Sequence, residues 1–227
     1  GYMERIREIC TRYGVLLVMD EVMTGAGRTG SFLGSDHWQA RPDIVVMSKG
    51  LGAGYVPLGA MIADERLVTP VLEQGGFAHG FTYAGNPLAC AAGLAVVNEI
   101  EIQGLCANAT RMGDTLLARL KGLMQKHELI GDVRGKGLLT AFEFMANRDS
   151  KAALSARLNA HQRFVDLAYA RGLIVYSRRS RDGVEGDHIL VCPPLIVNTD
   201  HIDEIITGLD ASLTASSQDI HAELKAG

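Results

Sequence analysis

"DIVVMSKGLGAGYVPLGAMIAD", residues 43 to 64, sets one lysine, Lys49, between an apolar run and a glycine-rich turn, with a second apolar run close behind. Short apolar runs bounded by glycine punctuation read as strands. "DIVVMS" (43 to 48), "LGAMIA" (58 to 63) and the earlier "VLLVMD" (15 to 20) are continuously apolar rather than alternating, which predicts strands buried on both faces of a sheet. A charged ammonium is costly to bury unless it is paired or chemically altered. Lys49 at a strand end therefore asks for a partner or a reaction.

Working outward, "GYMERIREICTRYG" at the start reads as a helix with Met3, Ile6, Ile9 and Cys10 on one stripe and Gly14 as its stop. Helices are predicted over 87–101, opened by Asn86 as N-cap and Pro87 at the first helical position, and over 107–127. From about 128 come strand-like "VRGKGLLTAFEF", a helix over 151–171, strands at 172–177 and 187–197, and a last helix from Thr199, with Thr199 and Asp203 offering a cap and an acidic first turn. The alternation of strands and helices predicts an α/β chain. Its expected parts are the sheet domain over 1–105, a linking helix over 106–127 and a smaller α+β domain over 128–227.

Of 227 residues, 47% are hydrophobic and 21% charged, an ordinary soluble composition, and the net charge of -4 gives no basic face for nucleic acid or an anionic membrane. "SRRSR" at 177–181 is too short to change that. Cys10, Cys90, Cys106 and Cys192 lack the spacing of a metal site or a disulfide framework, so no metal is expected and a reducing, cytoplasmic setting fits. No run approaches the roughly 20 apolar residues of a membrane span.

Three stretches carry the chemistry. In "LLVMDEVMTGAGRTG" an apolar strand ends on Asp20 and Glu21 and enters a glycine turn. Ligands bind beyond the carboxyl ends of parallel strands, so Asp20 is placed to face one; an acid there also serves as a helix cap. Lys49 ends the next apolar strand. Alone it reads as a snorkelling or ion-paired lysine, whereas a desolvated lysine is a competent amine nucleophile. Together, a carboxylate for a pyridinium nitrogen and a lysine for an aldehyde are the two parts that pyridoxal phosphate requires. The third stretch, "GFAHGFTYAGNPLACAAGLAVV" (76 to 97), offers the Thr82 hydroxyl and backbone N–H groups to a phosphate, or is simply a capped glycine-rich connector. His79 in the same loop reads as a surface residue.

In that order and spacing, "LLVMDEVMTGAGRTGSF", "PDIVVMSKGLGAGYVPLGAMIA" and "HGFTYAGNPLACAAGLAVVNEIE" resemble the class III aminotransferases that use pyridoxal phosphate on the type I fold. The resemblance runs over nearly the whole chain and implies part of the large, mainly parallel sheet domain followed by a smaller C-terminal α+β domain. It implies that Lys49 is the Schiff-base lysine and proton carrier, Asp20 the partner of the pyridinium nitrogen and Val22 a residue packing on the ring. Thr82 would reach the cofactor phosphate of the neighbouring subunit, making a homo-oligomer, at least a dimer. The implied reaction moves an amino group from an amine or ω-amino acid to a keto acid such as pyruvate by a ping-pong route.

Departures from the family pattern also inform the reading. Met23 stands where relatives acting on acetylornithine or 4-aminobutyrate carry glutamine, which resembles the ω-amino acid and amine:pyruvate branch. In "YSRRSRDGVEGDHILVCPPL" the "GDH" and "PPL" match that branch, but Gly183 stands where its carboxylate-binding arginine would fall. Arg178, Arg179 and Arg181 are replacements for it, or members of a solvated loop. The family has an N-terminal half ahead of this region, carrying a phosphate-binding turn and a stacking aromatic, which these residues do not include. Other type I outcomes, an aminomutase or a decarboxylase, and a non-catalytic remnant lacking half of the site, stay open at this point.

Overall fold

The computed structural model describes residues 1–226, without the side chains of Arg181, His221, Ala222 and residues 224–226. The chain divides into two units, Gly1–Ala107 and Asn108 onward.

The first unit opens with helix α1 (Tyr2–Tyr13), closed by Gly14 at φ 65, a left-handed turn that glycine adopts without a Cβ penalty. Met3, Ile6 and Cys10 pack on Leu17, Met19 and Ala40. Ile9, expected on that stripe, is instead 41% exposed, because the packed face is narrow. Strand β1 (Val18–Asp20) pairs parallel with β2 (Ile44–Met47), and β2 pairs antiparallel with β3 (Ala60–Ala63). Within these residues the sheet thus has one parallel and one antiparallel pairing.

Burial on both faces, expected from the apolar runs, does not hold here. Val18 is 51% exposed, Met61 62% and Ile62 52%, since no element of this unit covers those faces. Helix α2 (Glu65–Glu73), capped by Asp64 accepting from the Arg66 N–H, was not expected; Pro70 inside it masked the pattern. Helix α3 (Pro87–Ile102) starts as predicted, with the Asn86 side chain accepting from the N–H groups of Leu88 and Ala89. It approaches the turn after β2 through Gly93, whose missing Cβ leaves room for Leu58.

The second unit contains most of helix α4 (Leu105–Lys126) and an antiparallel sheet. Its strands are β4 (Ile130–Lys136), β5 (Leu139–Asn147), the short β6 (Ala152–Ala153), β7 (Tyr176–Arg179) and β8 (Asp187–Val191). The order is β4-β5-β8-β7, with β6 pairing on β5. Instead of one helix over 151–171, a 3-10 turn at Ala156–Leu158 precedes helix α5 (Ala160–Tyr169), because Asn159 at φ 46 breaks the run. Gly172 at φ 78 closes α5, with Leu173 N–H returning to Ala168 O, so β7 begins four residues later than expected and includes Arg178 and Arg179. Helix α6 (Thr199–Ala226) is capped by Asn198, whose Oδ1 accepts from His201 N–H; Thr199 is its first residue rather than its cap, and Asp200 supplies the acidic first turn.

The core of this unit lies between the inner sheet face and the three helices. Phe142, Phe144 and Phe164 form an edge-to-face triad with centroids 5.4 to 5.6 Å apart, surrounded by Leu116, Leu120, Ile189 and Leu209. Among the described residues, no single helix is long and apolar enough to cross a membrane.

Candidate active site

The parallel register of β1 and β2 sets Asp20 beside Val46, so the carboxyl ends of both strands reach the same edge of the sheet. The Glu21 N–H continues the ladder one residue further by donating to Val46 O at 2.8 Å. Asp20 is exposed at that edge, and its Oδ1 accepts from the Val22 N–H at 3.0 Å. Val22 is half-buried, and Met23 after it is exposed.

Lys49 lies two residues beyond the end of β2, after Ser48, and opens a tight turn in which Leu51 N–H donates to Ser48 O and Gly52 N–H to Lys49 O. Its φ is 40, in the left-handed region that non-glycine residues avoid at a cost of about 1–2 kcal/mol. Such strain persists only where its surroundings enforce it, and it concentrates at functional sites. Ser48 contributes that enforcement by donating from Oγ to Leu58 O at 3.0 Å. The side chain of Lys49 is exposed, so within these residues its charge needs no buried partner.

The two strand-end turns meet through glycines. A Cβ on Gly50 would lie 3.0 Å from Ala26 Cβ, and one on Gly25 would lie 2.8 Å from Glu21 O and 3.0 Å from Met47 Cε. Asp20, Val22 and Lys49 are therefore carried by turns so closely packed that neither glycine has free space for a side chain. A fixed carboxylate and an exposed primary amine on adjacent strand ends, with little side-chain bulk between their turns, are a donor set that fits pyridoxal phosphate.

Glu21, which sequence reasoning noted only as a strand end, proves to be the anchor of this region. It is 3% exposed and accepts from Gly34 N–H at 2.8 Å, Ser35 N–H at 2.6 Å and the Thr24 hydroxyl. Burial by itself raises a carboxyl pKa, but the hydrogen bonds from Thr24, Ser35 and Gly34 outweigh it, and Glu21 sits below the ordinary glutamate value. Two of its three donors are 13 and 14 residues ahead in the chain, so the sequence shows only an acid beside a glycine-rich loop.

Thr82 lies in the exposed turn that leads into α3, and His79 is exposed in the same loop with its ring edge-on to Phe81. The arginines belong to the second unit. Arg178 is exposed, its guanidinium 5.4 Å from the centre of the Tyr176 ring, whereas Arg179 turns inward and pairs with the buried Asp187. The Arg181 side chain lies outside the described residues.

Residues 1–213 match the family model of the class III aminotransferases. The chain is 40% identical to a taurine–pyruvate aminotransferase of Bilophila wadsworthia over 96% of its own length, and 36% identical to an uncharacterized aminotransferase, YodT, of Bacillus subtilis over 97%. It spans about half the length of these curated relatives, 48% and 50%. Among solved structures it superposes on a transaminase from a marine Virgibacillus with a TM-score of 0.92 at 35% identity, covering 96% of this chain and 49% of that one. A PLP-bound amine transaminase from an uncultivated Pseudomonas species gives 0.87 at 36%, covering 95% and 48%. The cofactor that accompanies this family is pyridoxal phosphate. The fold, the strand-end carboxylate and lysine, and the match over 1–213 lead to one assignment: the chain belongs to the class III aminotransferases.

Proposed function

We propose that this chain supplies the lysine-bearing half of a pyridoxal-phosphate-dependent aminotransferase that moves an amino group from an amine or ω-amino acid to a keto acid, most simply pyruvate, in two half-reactions. The observation that carries the reading is the placement of Asp20 and Lys49 at the carboxyl ends of paired parallel strands, with Lys49 held in a strained turn.

When bound, the cofactor supplies an electron sink for the carbon that loses its proton. Asp20 would hold the cofactor at its ring nitrogen through its carboxylate, Val22 would pack beside the ring, and Lys49 would anchor the cofactor and carry the substrate proton at Nζ. Thr82 contributes its hydroxyl to the cofactor phosphate of a neighbouring copy, so the active unit is at least a dimer. Met23, apolar and exposed beside this group, supports the amine:pyruvate branch over relatives that place glutamine there.

The test is the absorption of the holoenzyme in the visible, together with alanine formation from pyruvate and an amine. Lys49→Ala is expected to abolish both. An unchanged visible band in that variant would overturn the assignment of Lys49, and a wild-type enzyme that binds the cofactor but forms no alanine would exclude pyruvate transamination.

A further inference from the structure

We propose that Glu21 is a positioning residue of this site: its buried carboxylate fixes the turn that aims Asp20 and Val22 at the cofactor. The inference rests on reading Asp20 and Val22 as cofactor partners. The orientation of Asp20 depends on the hydrogen bond that its Oδ1 accepts from Val22 N–H. Glu21 lies between these two residues, so whatever fixes Glu21 fixes both ends of that bond.

Glu21 is held from three directions. Its backbone N–H donates to Val46 O on the strand that leads to Lys49, and its carbonyl accepts from Gly25 N–H at 2.9 Å. Its carboxylate receives the Gly34 and Ser35 N–H groups and the Thr24 hydroxyl, so both oxygens are occupied. The surroundings are shaped to this side chain. A Cβ on Gly34 would lie 2.9 Å from Glu21 Oε2 and 2.8 Å from Thr24 Cβ.

Ionisation matters as much as shape. Three donors converge on the carboxylate, and a carboxamide in its place would turn an N–H₂ group toward one of them. Glu21→Gln therefore keeps the volume but tilts the turn. Misplacement of a reacting constellation by even about 1 Å costs on the order of 10²-fold in rate, and a change in Asp20's aim alters its hold on the ring nitrogen.

The experiment compares holoenzyme carrying Glu21→Gln or Thr24→Val with wild type and with Lys49→Ala. The readouts are the pH dependence of the cofactor's visible absorption, the cofactor dissociation constant and thermal unfolding. Glu21→Gln is expected to shift the absorption titration, to weaken cofactor binding by about tenfold or more and to lower kcat with KM little changed. Thr24→Val, which keeps the charge and removes one donor, should shift the titration in the same direction by less, and it carries the test if Glu21→Gln does not fold. A folded variant that titrates and binds like wild type would overturn the role of Glu21. Retention of the band by Lys49→Ala would instead overturn the underlying site.

Discussion

Arg179 donates from Nε to Asp187 Oδ1 at 2.5 Å and from a terminal nitrogen to Oδ2 at 3.2 Å, a two-point pair joining directly opposed residues of β7 and β8. Asp187 is 3% exposed and also accepts from the His161 N–H. Burial works against its ionisation, but Arg179 and His161 outweigh it and hold the carboxyl below the ordinary aspartate value; the same bond raises Arg179. The Arg179 fork is thus engaged within its own sheet. Asp187→Ala is expected to lower stability by about 3–5 kcal/mol in denaturant unfolding, because it strands a partly buried guanidinium. The pair's contribution is present above the unfolded pKa of Asp187 and is lost as pH falls through its lower folded value.

Arg178 has the opposite disposition on the next position of the strand. Its exposed guanidinium makes it the stronger candidate of the described pair for a substrate carboxylate. Arg178→Ala is expected to change stability by less than about 0.5 kcal/mol. Steady-state kinetics should show KM for the keto acid rising with kcat retained, and no rise for a carboxylate-free amine. Equal KM values for the keto acid in Arg178→Ala and wild type would remove Arg178 from recognition.

At the other end of β1 and β2, Asp43 ties three elements together. Its Oδ2 accepts from Arg7 at 2.7 Å and from Leu17 N–H at 2.8 Å, and its Oδ1 accepts from Arg66. The Arg7 bond, then the Leu17 N–H, lower its pKa from 3.8 to about 2 against the effect of burial, with Arg66 adding to them. A depressed folded value means that the stabilisation is complete above the unfolded pKa and fades as pH falls through about 2. Asp43→Asn should therefore unfold at lower denaturant than wild type near neutrality, with the gap closing toward pH 2. A gap independent of pH would show that the charge is not what Asp43 contributes.

What could be read from the sequence was local. Gly14 after an amphipathic run, and Asn86 before Pro87, announce helix ends through interactions spanning three residues, and both ends stand where expected. The strand-end placement of Asp20 and Lys49 was legible because the apolar runs stop there. The role of Glu21 was not, since its donors at Gly34 and Ser35 join it only after the intervening loop folds back. The division of labour between Arg178 and Arg179 was hidden for a similar reason. Adjacent residues in a strand point to opposite faces, and which face is inside depends on where β7 starts, a start that Gly172 delays.

Asn108 gives a prediction about the loop that carries "PPL". Its side-chain amide donates to Leu195 O at 2.7 Å and Val197 O at 2.9 Å, while its own Oδ1 accepts from Arg111 at 2.6 Å. One side chain in α4 thus satisfies two carbonyls of the segment between β8 and α6. Asn108→Ala is expected to cost about 1–3 kcal/mol through carbonyls left without a donor, and Asn108→Asp to cost at least as much, since a carboxylate cannot donate. Hydrogen exchange should report the loss at 195–198 before the rest of the unit; uniform exchange would count against this local role.

Two glycines of α4 make opposite predictions for the same substitution. Glycine inside a helix is about 1 kcal/mol less favourable than alanine, so Gly→Ala ordinarily stabilises. At Gly122 a Cβ would meet nothing within 4 Å, and Gly122→Ala should raise stability by up to about that amount. At Gly113 a Cβ would fall 2.2 Å from Gly137 O and 2.6 Å from Gly137 Cα, both backbone atoms of the turn between β4 and β5. Backbone cannot rotate away as a side-chain tip can. Gly113→Ala must push the helix off that turn, at a cost of about 1–3 kcal/mol that exceeds the propensity gain. Thermal unfolding of the two variants should therefore move in opposite directions from wild type, and a stabilised Gly113→Ala would mean that α4 does not pack on Gly137 this closely.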